Sequence, residues 1–194
     1  TNTLTHCGVN LSIGLSGYPP IRLYSTGNFR AKTLRLENQV SSQYVSALLM
    51  AAPFTRPTAD QTPFRLEIPR DSVSLGFIRL TLRIMEQFGI HVETQDFVHE
   101  QRQWIQYTVP QGPYTAVNHY QVEADATAAV YPMSLACLHG RSLFLENFYE
   151  DNSQSDAPLL TRVFRDYGAT LTYSDQGLLF VPPTPDTTRS YSAD

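Results

Sequence analysis

The sequence is short of several things, and each shortage narrows what the protein can be. It has a single lysine, Lys32, and a formal net charge of -4. With no basic patch interleaved with aromatics, nucleic acid is not an expected partner. Its two cysteines, Cys7 and Cys137, make no paired framework of the kind a secreted disulfide scaffold needs. The five histidines (His6, His91, His99, His119, His139) lack metal-ligand spacing, and adjacent His6 and Cys7 are poorly placed to share an ion. No metal is expected. No apolar run approaches the length of a membrane span, and the N-terminus lacks the charged-then-apolar pattern of a signal peptide. The chain opens on "TNTLTHCGVNL" without an initiator Met, so it reads as a piece of something longer.

What is present describes a globular protein expected in the cytoplasm. Of its 194 residues 42% are apolar and 16% charged, enough for a substantial core in one or two domains. A repeat organises them. "TLTHCGVNLSI" (3–13), "RIMEQFGIHVET" (83–94) and "RVFRDYGATLTY" (162–173) each close a helical tail on a glycine and enter a short alternating strand. A second strand follows each: "PIRLYST" (20–26), "QWIQYTV" (103–109) and "GLLFVPP" (177–183).

Upstream of the second tail come a strand "TLRLEN" (33–38), a helix 41–54, a strand "FRLEIP" (64–69) and a helix 77–89. Upstream of the third come "HYQVE" (119–123), "DATAAVYPMSLACLHG" (125–140), "SLFLENF" (142–148) and "APLLTRVFRDYG" (157–168). Each full unit therefore reads strand, helix, strand, helix, strand, strand. Right-handed parallel crossovers are expected, with an antiparallel closing pair. In each unit the first helix is apolar on every side and is expected to be interior, while the second is amphipathic and faces water. Asp125 and Asp156 precede helices as N-caps should, and Pro132 should kink the helix that contains it. Segment 55–63 reads as a polar loop, 111–119 as a hinge and 184–194 as a flexible tail or joint.

"VSSQYVSALLMAAPF" (40–54) poses a particular question. Three hydrogen-bonding side chains, Ser41, Ser42 and Gln43, stand at the positive end of an otherwise greasy helix. One serine there is an ordinary cap worth about 1 kcal/mol; three suit an anion.

In combination these stretches resemble one family. "VSSQYVSALLMAAP", "SLGFIRLTLRIMEQFG", "YTVPQGPY…HYQVEADATAAVYP" and "NSQSDAPLLTRVFRDYGA" follow, in order, the central portion of 5-enolpyruvylshikimate-3-phosphate (EPSP) synthase, nearest in flavour to the version within the fungal pentafunctional arom polypeptide. The resemblance implies an α/β fold, an inside-out α/β barrel of repeated βαβαββ units like the C-terminal domain of translation initiation factor 3. Helices lie inside and sheets outside, and here only part of the barrel is present. It implies that residues 1–116 belong to the N-terminal domain and that 117–183 form the first repeat of the C-terminal domain. It implies transfer of enolpyruvyl from phosphoenolpyruvate to shikimate 3-phosphate, without a cofactor. Ser41 and Ser42 would bind the substrate phosphate, Gln43 the substrate and enolpyruvyl group, and Ser74 the substrate. Phe77, Asp125 and Gln154 are weaker candidate contacts.

Departures from the family pattern accompany this. Phe77 stands for a usual Tyr, Gly76 for Pro, Arg79 for a polar residue, Ala128 for Ser, and Ser155 for the Gly of a Gln-Gly-Asp motif. The family's catalytic Asp, Lys and Arg segments match nothing in this chain; Arg22, Arg30, Arg83 and Arg162 do not fall on those positions. No residue here is assigned as catalytic, and the chain alone is expected to be inactive. Its expected partners are both substrates and the remaining synthase segments or a larger multidomain polypeptide, with no nucleic acid and no membrane. The alternative is a non-catalytic remnant serving as a structural or assembly subunit. The related transferase that acts on UDP-N-acetylglucosamine shares the fold, but the Ser-Ser-Gln helix start argues against it.

Overall fold

The computed structural model describes residues 4–5, 8–14, 17–24, 33–37, 41–55, 63–72 and 74–184. Their packing divides the chain into two units, residues 1–118 and 119–194. In the first, β1 (Asn10–Ile13) and β2 (Ile21–Tyr24) form an antiparallel pair with Asn10 opposite Tyr24. The full repeat follows: β3 (Thr33–Arg35), α1 (Ser42–Ala51), β4 (Phe64–Pro69), α2 (Leu75–Gln87), β5 (Glu93–His99) and β6 (Arg102–Val109). The four strands run in the order β3-β4-β6-β5. β3 and β4 are parallel across the α1 crossover; β4–β6 and β5–β6 are antiparallel.

Period-two alternation decides which face is covered. Leu34, Phe64, Leu66, Ile68, Tyr107 and Val109 are buried together with Val45 and Leu49 of α1 and Ile78 and Met85 of α2. Burying each such side chain contributes about 1.5–3 kcal/mol, so this layer holds the unit together. The opposite face carries charge. Buried Glu67 is matched by Arg35 at 2.7 Å, which a buried carboxylate requires. Two guanidiniums approach the Trp104 ring, Arg35 at 5.1 Å and Arg102 at 5.6 Å from its centroid.

The C-terminal end of α1 passes into a short 3-10 turn, Ala52–Phe54, and its carbonyls are taken up from downstream. Tyr114 Oη donates to Met50 O at 3.0 Å, Gly112 N to Pro53 O at 3.1 Å, and Thr55 Oγ1 to Ala52 O at 2.7 Å. Residues 111–114, inside the segment expected to be a hinge, are therefore fastened to α1.

In the second unit α3 (Ala126–His139), β7 (Leu143–Glu146), α4 (Ala157–Asp166), β8 (Thr170–Ser174) and β9 (Gly177–Val181) give the order β7-β9-β8. That order repeats β4-β6-β5. Met133, Phe148, Leu178 and Phe180 centre its core, with Phe164 edge-on to Phe180 at 5.3 Å. The glycine that ends each repeated tail is left-handed, with φ of 81° at Gly8, 83° at Gly89 and 101° at Gly168.

The structure corrects several expectations. Residues 119–123 form no strand. Val122 is exposed, and the segment is tied down by side chains: Gln121 Nε2 donates to Asn147 Oδ1 at 2.8 Å, and Glu123 accepts from Ser153. β3 ends at Arg35, short of the expected 38. Asp156 precedes α4 with a helical backbone (φ −88°, ψ −18°) and makes no side-chain capping bond; its Oδ1 accepts from Ser155 Oγ at 3.1 Å instead. The two all-apolar helices bury more residues than their partners, but in this chain each is covered on one side only. α1 buries Ser42, Val45 and Leu49 but leaves Tyr44 66% and Met50 49% exposed, and α3 leaves Tyr131 75% and Leu138 79% exposed. A single sheet covers one side of a helix only. α3 continues as one helix across Pro132. The 56–62 part of the expected loop, residues 185–194 of the expected tail, Arg30, His6 and Cys7 lie outside the described residues.

Burial pushes the Tyr107 hydroxyl up to about 12, with nearby Arg79 opposing the shift. The unfolded chain has this group near 10, so it loses the proton first as pH rises. Stability from this residue is complete below pH 10 and falls between pH 10 and 12, by about 2–3 kcal/mol in all. Urea midpoints at pH 9 and pH 11.5 should therefore separate more for wild type than for Tyr107→Phe. Equal separations would refute the buried-hydroxyl explanation.

Candidate functional site

The start of α1 is built to be electropositive. Four N–H groups at a helix N-terminus have no intrahelical partner, and the aligned peptide dipoles add partial positive charge. No acidic residue lies in the first turn to neutralise it. Ser41 is extended (φ −56°, ψ 136°), and its Oγ accepts from Gln43 N at 3.4 Å, a long and weak cap that leaves the hydroxyl proton available. Ser42 is buried in the first turn, whereas Gln43 is exposed. Neither side chain has a hydrogen bond among the described residues.

α2 lies alongside. Ser46 Oγ and Thr81 Oγ1 meet at 2.7 Å. Ser46 is about 6 Å along α1 from Ser42, and Thr81 about 9 Å along α2 from Leu75, at 1.5 Å per residue. Both helices run antiparallel to the parallel strands that precede them, so both begin at the same end of the sheet. The structure thus gathers Ser41, Ser42, Gln43, Ser74 and Phe77 at one end of the first unit.

Ser74 is unusual there. It precedes α2 in the left-handed conformation, φ 61° and ψ 38°, and its side chain makes no capping bond. A left-handed non-glycine residue costs about 1–2 kcal/mol. A serine used only as a cap would be extended and bonded to the helix; this one is strained and unengaged. Phe77, three residues on, exposes part of its ring on the first turn, and Phe77 N donates to Ser74 O at 3.1 Å.

Asp125 and Gln154 belong to the second unit and meet at the start of α3. Asp125 Oδ1 accepts from Ala128 N at 3.1 Å and Gln154 Oε1 from Ala126 N at 3.0 Å. Around them Asn152 Nδ2 donates to Ala124 O at 2.9 Å, and Asn152 Oδ1 accepts from Gln154 N at 3.0 Å. Sequence reasoning foresaw Asp125 as a cap. It missed that Gln154 is a second cap, supplied from 28 residues downstream; the available signal was the polar run Asn152-Ser153-Gln154. Two of the free N–H groups of α3, those of Ala126 and Ala128, are thus taken by side chains, whereas at α1 only Gln43 N is, on a long serine cap.

Among the described residues no three His, Cys, Asp or Glu side chains cluster as a metal site, and no helix is long and apolar enough to cross a membrane. Cys137 is a half-buried free thiol, its pKa raised by burial.

A mixed α/β unit of this topology defines a structural class. The chain matches two solved structures of EPSP synthase from Acinetobacter baumannii with TM-scores of 0.60 and 0.58, both at 17% identity, over 93% of this chain and 38% of theirs. Those likenesses establish the fold. The EPSP synthase (3-phosphoshikimate 1-carboxyvinyltransferase) family profile matches residues 1–191, and the chain belongs to that family. It is 32% identical over 171 residues to the pentafunctional AROM polypeptide of Eremothecium gossypii, and 31% identical over 156 residues to that of Saccharomyces cerevisiae. These alignments cover 88% and 80% of this chain. The chain spans only 10% and 9% of those polypeptides.

The double cap of α3 yields a test. Asp125→Ala should cost about 1 kcal/mol and speed amide exchange at Ala128, whereas Gln154→Ala should act first at Ala126. Exchange at Ala126 unchanged in the Gln154 variant would remove Gln154 from this role.

Proposed function

We propose that this chain is the part of a 3-phosphoshikimate 1-carboxyvinyltransferase that grips shikimate 3-phosphate. The observation that carries the reading is the start of α1: a positive helix end with the Ser41 hydroxyl proton available, the Ser42 hydroxyl in its first turn and no acid there. The hydroxyls of Ser41 and Ser42 and the N–H groups behind them would hold the phosphate. The Gln43 amide would reach toward the substrate and the incoming enolpyruvyl group, the strained Ser74 hydroxyl would hold the substrate's far side, and the Phe77 ring would close the wall. Asp125 and Gln154 retain Oδ2 and Nε2 for weaker contacts, their other atoms being committed to α3.

In the reaction proposed, the substrate's 5-hydroxyl adds to phosphoenolpyruvate and inorganic phosphate leaves. Proton transfer at the methylene carbon and charge neutralisation for two anionic substrates require acid–base and cationic groups beyond those at this helix start. We therefore assign binding and not catalysis to this chain. The remaining synthase segments, in a larger multidomain polypeptide of the arom kind, would supply the catalysts. The exposed apolar side chains on α1 and on α3 support such partners, because apolar surface left open on a helix is available for burial against another element. In the same proposal, residues 1–116 belong to the synthase's N-terminal domain and 117–183 open its C-terminal domain. The free thiol of Cys137 is consistent with a cytoplasmic setting.

Two measurements test this. Phosphate release from phosphoenolpyruvate and shikimate 3-phosphate should stay at background with this chain alone; sustained turnover would mean that catalytic groups have been overlooked. In an NMR titration, shikimate 3-phosphate should shift the amides of residues 41–44 with an affinity around millimolar. The shifts should vanish in the Ser41→Ala/Ser42→Ala variant, which otherwise weakens only a cap. A wild-type chain showing no shifts at millimolar ligand would instead favour a structural remnant.

A further inference from the structure

Two hydroxyls join the helices that carry the proposed site, and the direction of their bonds can be worked out. Thr81 Oγ1 donates to Phe77 O at 2.9 Å. A hydroxyl has one proton, so Thr81 has none left for Ser46, and the 2.7 Å contact between them must run from Ser46 Oγ–H to Thr81 Oγ1. The result is a directed chain from Ser46 on α1, through Thr81, to the Phe77 carbonyl on the first turn of α2. One end lies a turn from Ser42. The other lies three residues from Ser74.

The bland account of Thr81 is that a mid-helix threonine satisfies itself on the carbonyl four residues back. That account does not explain why its remaining lone pair receives a hydroxyl from the neighbouring helix. Nor does apolar contact do the same work. Methyl groups settle at about 3.5–4.0 Å with no preferred direction, so helices joined only by them can slide. A 2.7 Å hydrogen bond is short and directional, and it pins one helix against the other along both axes.

We propose that Ser46 and Thr81 are positioning residues, a pair that sets the separation between the starts of α1 and α2 so that Ser41 and Ser42 on one and Ser74 on the other engage a single sugar-acid phosphate at once. This rests on the reading of the α1 start as the substrate anchor. Neither residue need touch the ligand. Their effect is on a ligand long enough to bridge the two helices, and not on an anion held by α1 alone.

That distinction supplies the experiment. The full chain is titrated with shikimate 3-phosphate and separately with inorganic phosphate, following the amides of residues 41–44 and 74–77. Thr81→Val keeps volume and β-branching but removes the bridge, Thr81→Ser keeps the hydroxyl, and Ser46→Ala/Thr81→Val removes both partners so that neither is left unsatisfied. Thr81→Val and the double variant should bind shikimate 3-phosphate about fivefold more weakly, the effect of one lost hydrogen bond, and lose the shifts at 74–77. Their response to inorganic phosphate should match wild type. Thr81→Ser should stay within about twofold of wild type for both ligands, well inside one hydrogen bond's worth. Wild-type affinity for shikimate 3-phosphate in the double variant would overturn the positioning role while leaving the anchor standing. Equal loss of both ligands would overturn it too, by showing general damage to the α1 start. If wild type bound neither ligand, the anchor and the pair would fall together.

Discussion

A sheet can cover one side of a helix, and α1 and α3 are apolar on more than one. Most of the architecture follows from that mismatch. In each unit the amphipathic helix settles with its charged side to water, and the greasier helix is left half covered, with Tyr44 and Met50 open in the first unit and Tyr131 and Leu138 in the second. The helices of both units thus keep apolar side chains open to solvent.

The same constraint places the candidate site. Because β3 and β4 are parallel, α1 and α2 both return across the same face and begin at one end of it. Two helix starts then stand side by side, and electropositive ends are unavoidable there. What the sequence adds is the choice of side chains: serines in place of carboxylates at α1, and a strained serine in place of a relaxed cap before α2. The fold supplies the field, and the residues keep it uncompensated.

Much of this was legible beforehand where one periodicity governed one element. "FRLEIP" and "QWIQYTV" alternate cleanly and became β4 and β6, and the glycines at 8, 89 and 168 marked helix ends because only a left-handed residue fits. Legibility failed where tertiary bonds replaced local ones. "HYQVE" has a strand's pattern, yet Gln121 and Glu123 spend their side chains on residues 147 and 153, and no ladder forms. Asp156 has a cap's identity but a helical backbone. The site divides in the same way. The Ser-Ser-Gln start is a local motif and could be read off the chain, whereas the Ser46–Thr81 bond joins residues 35 apart whose side chains give no hint of each other.

Gln154 carries a consequence for how a repeated fold diverges. The two units share the order of their strands, so each offers a helix start in the same topological position. In the second unit a neutral amide from a distant loop and a carboxylate from the adjoining turn occupy that start, and the carboxylate brings a full negative charge to it. An anion there would face that carboxylate and find two of the first-turn N–H groups already bonded. A repeated scaffold therefore need not repeat its helix starts: two side chains cap α3, whereas α1 has one long serine cap. That asymmetry is written in a few polar side chains and is invisible in the topology.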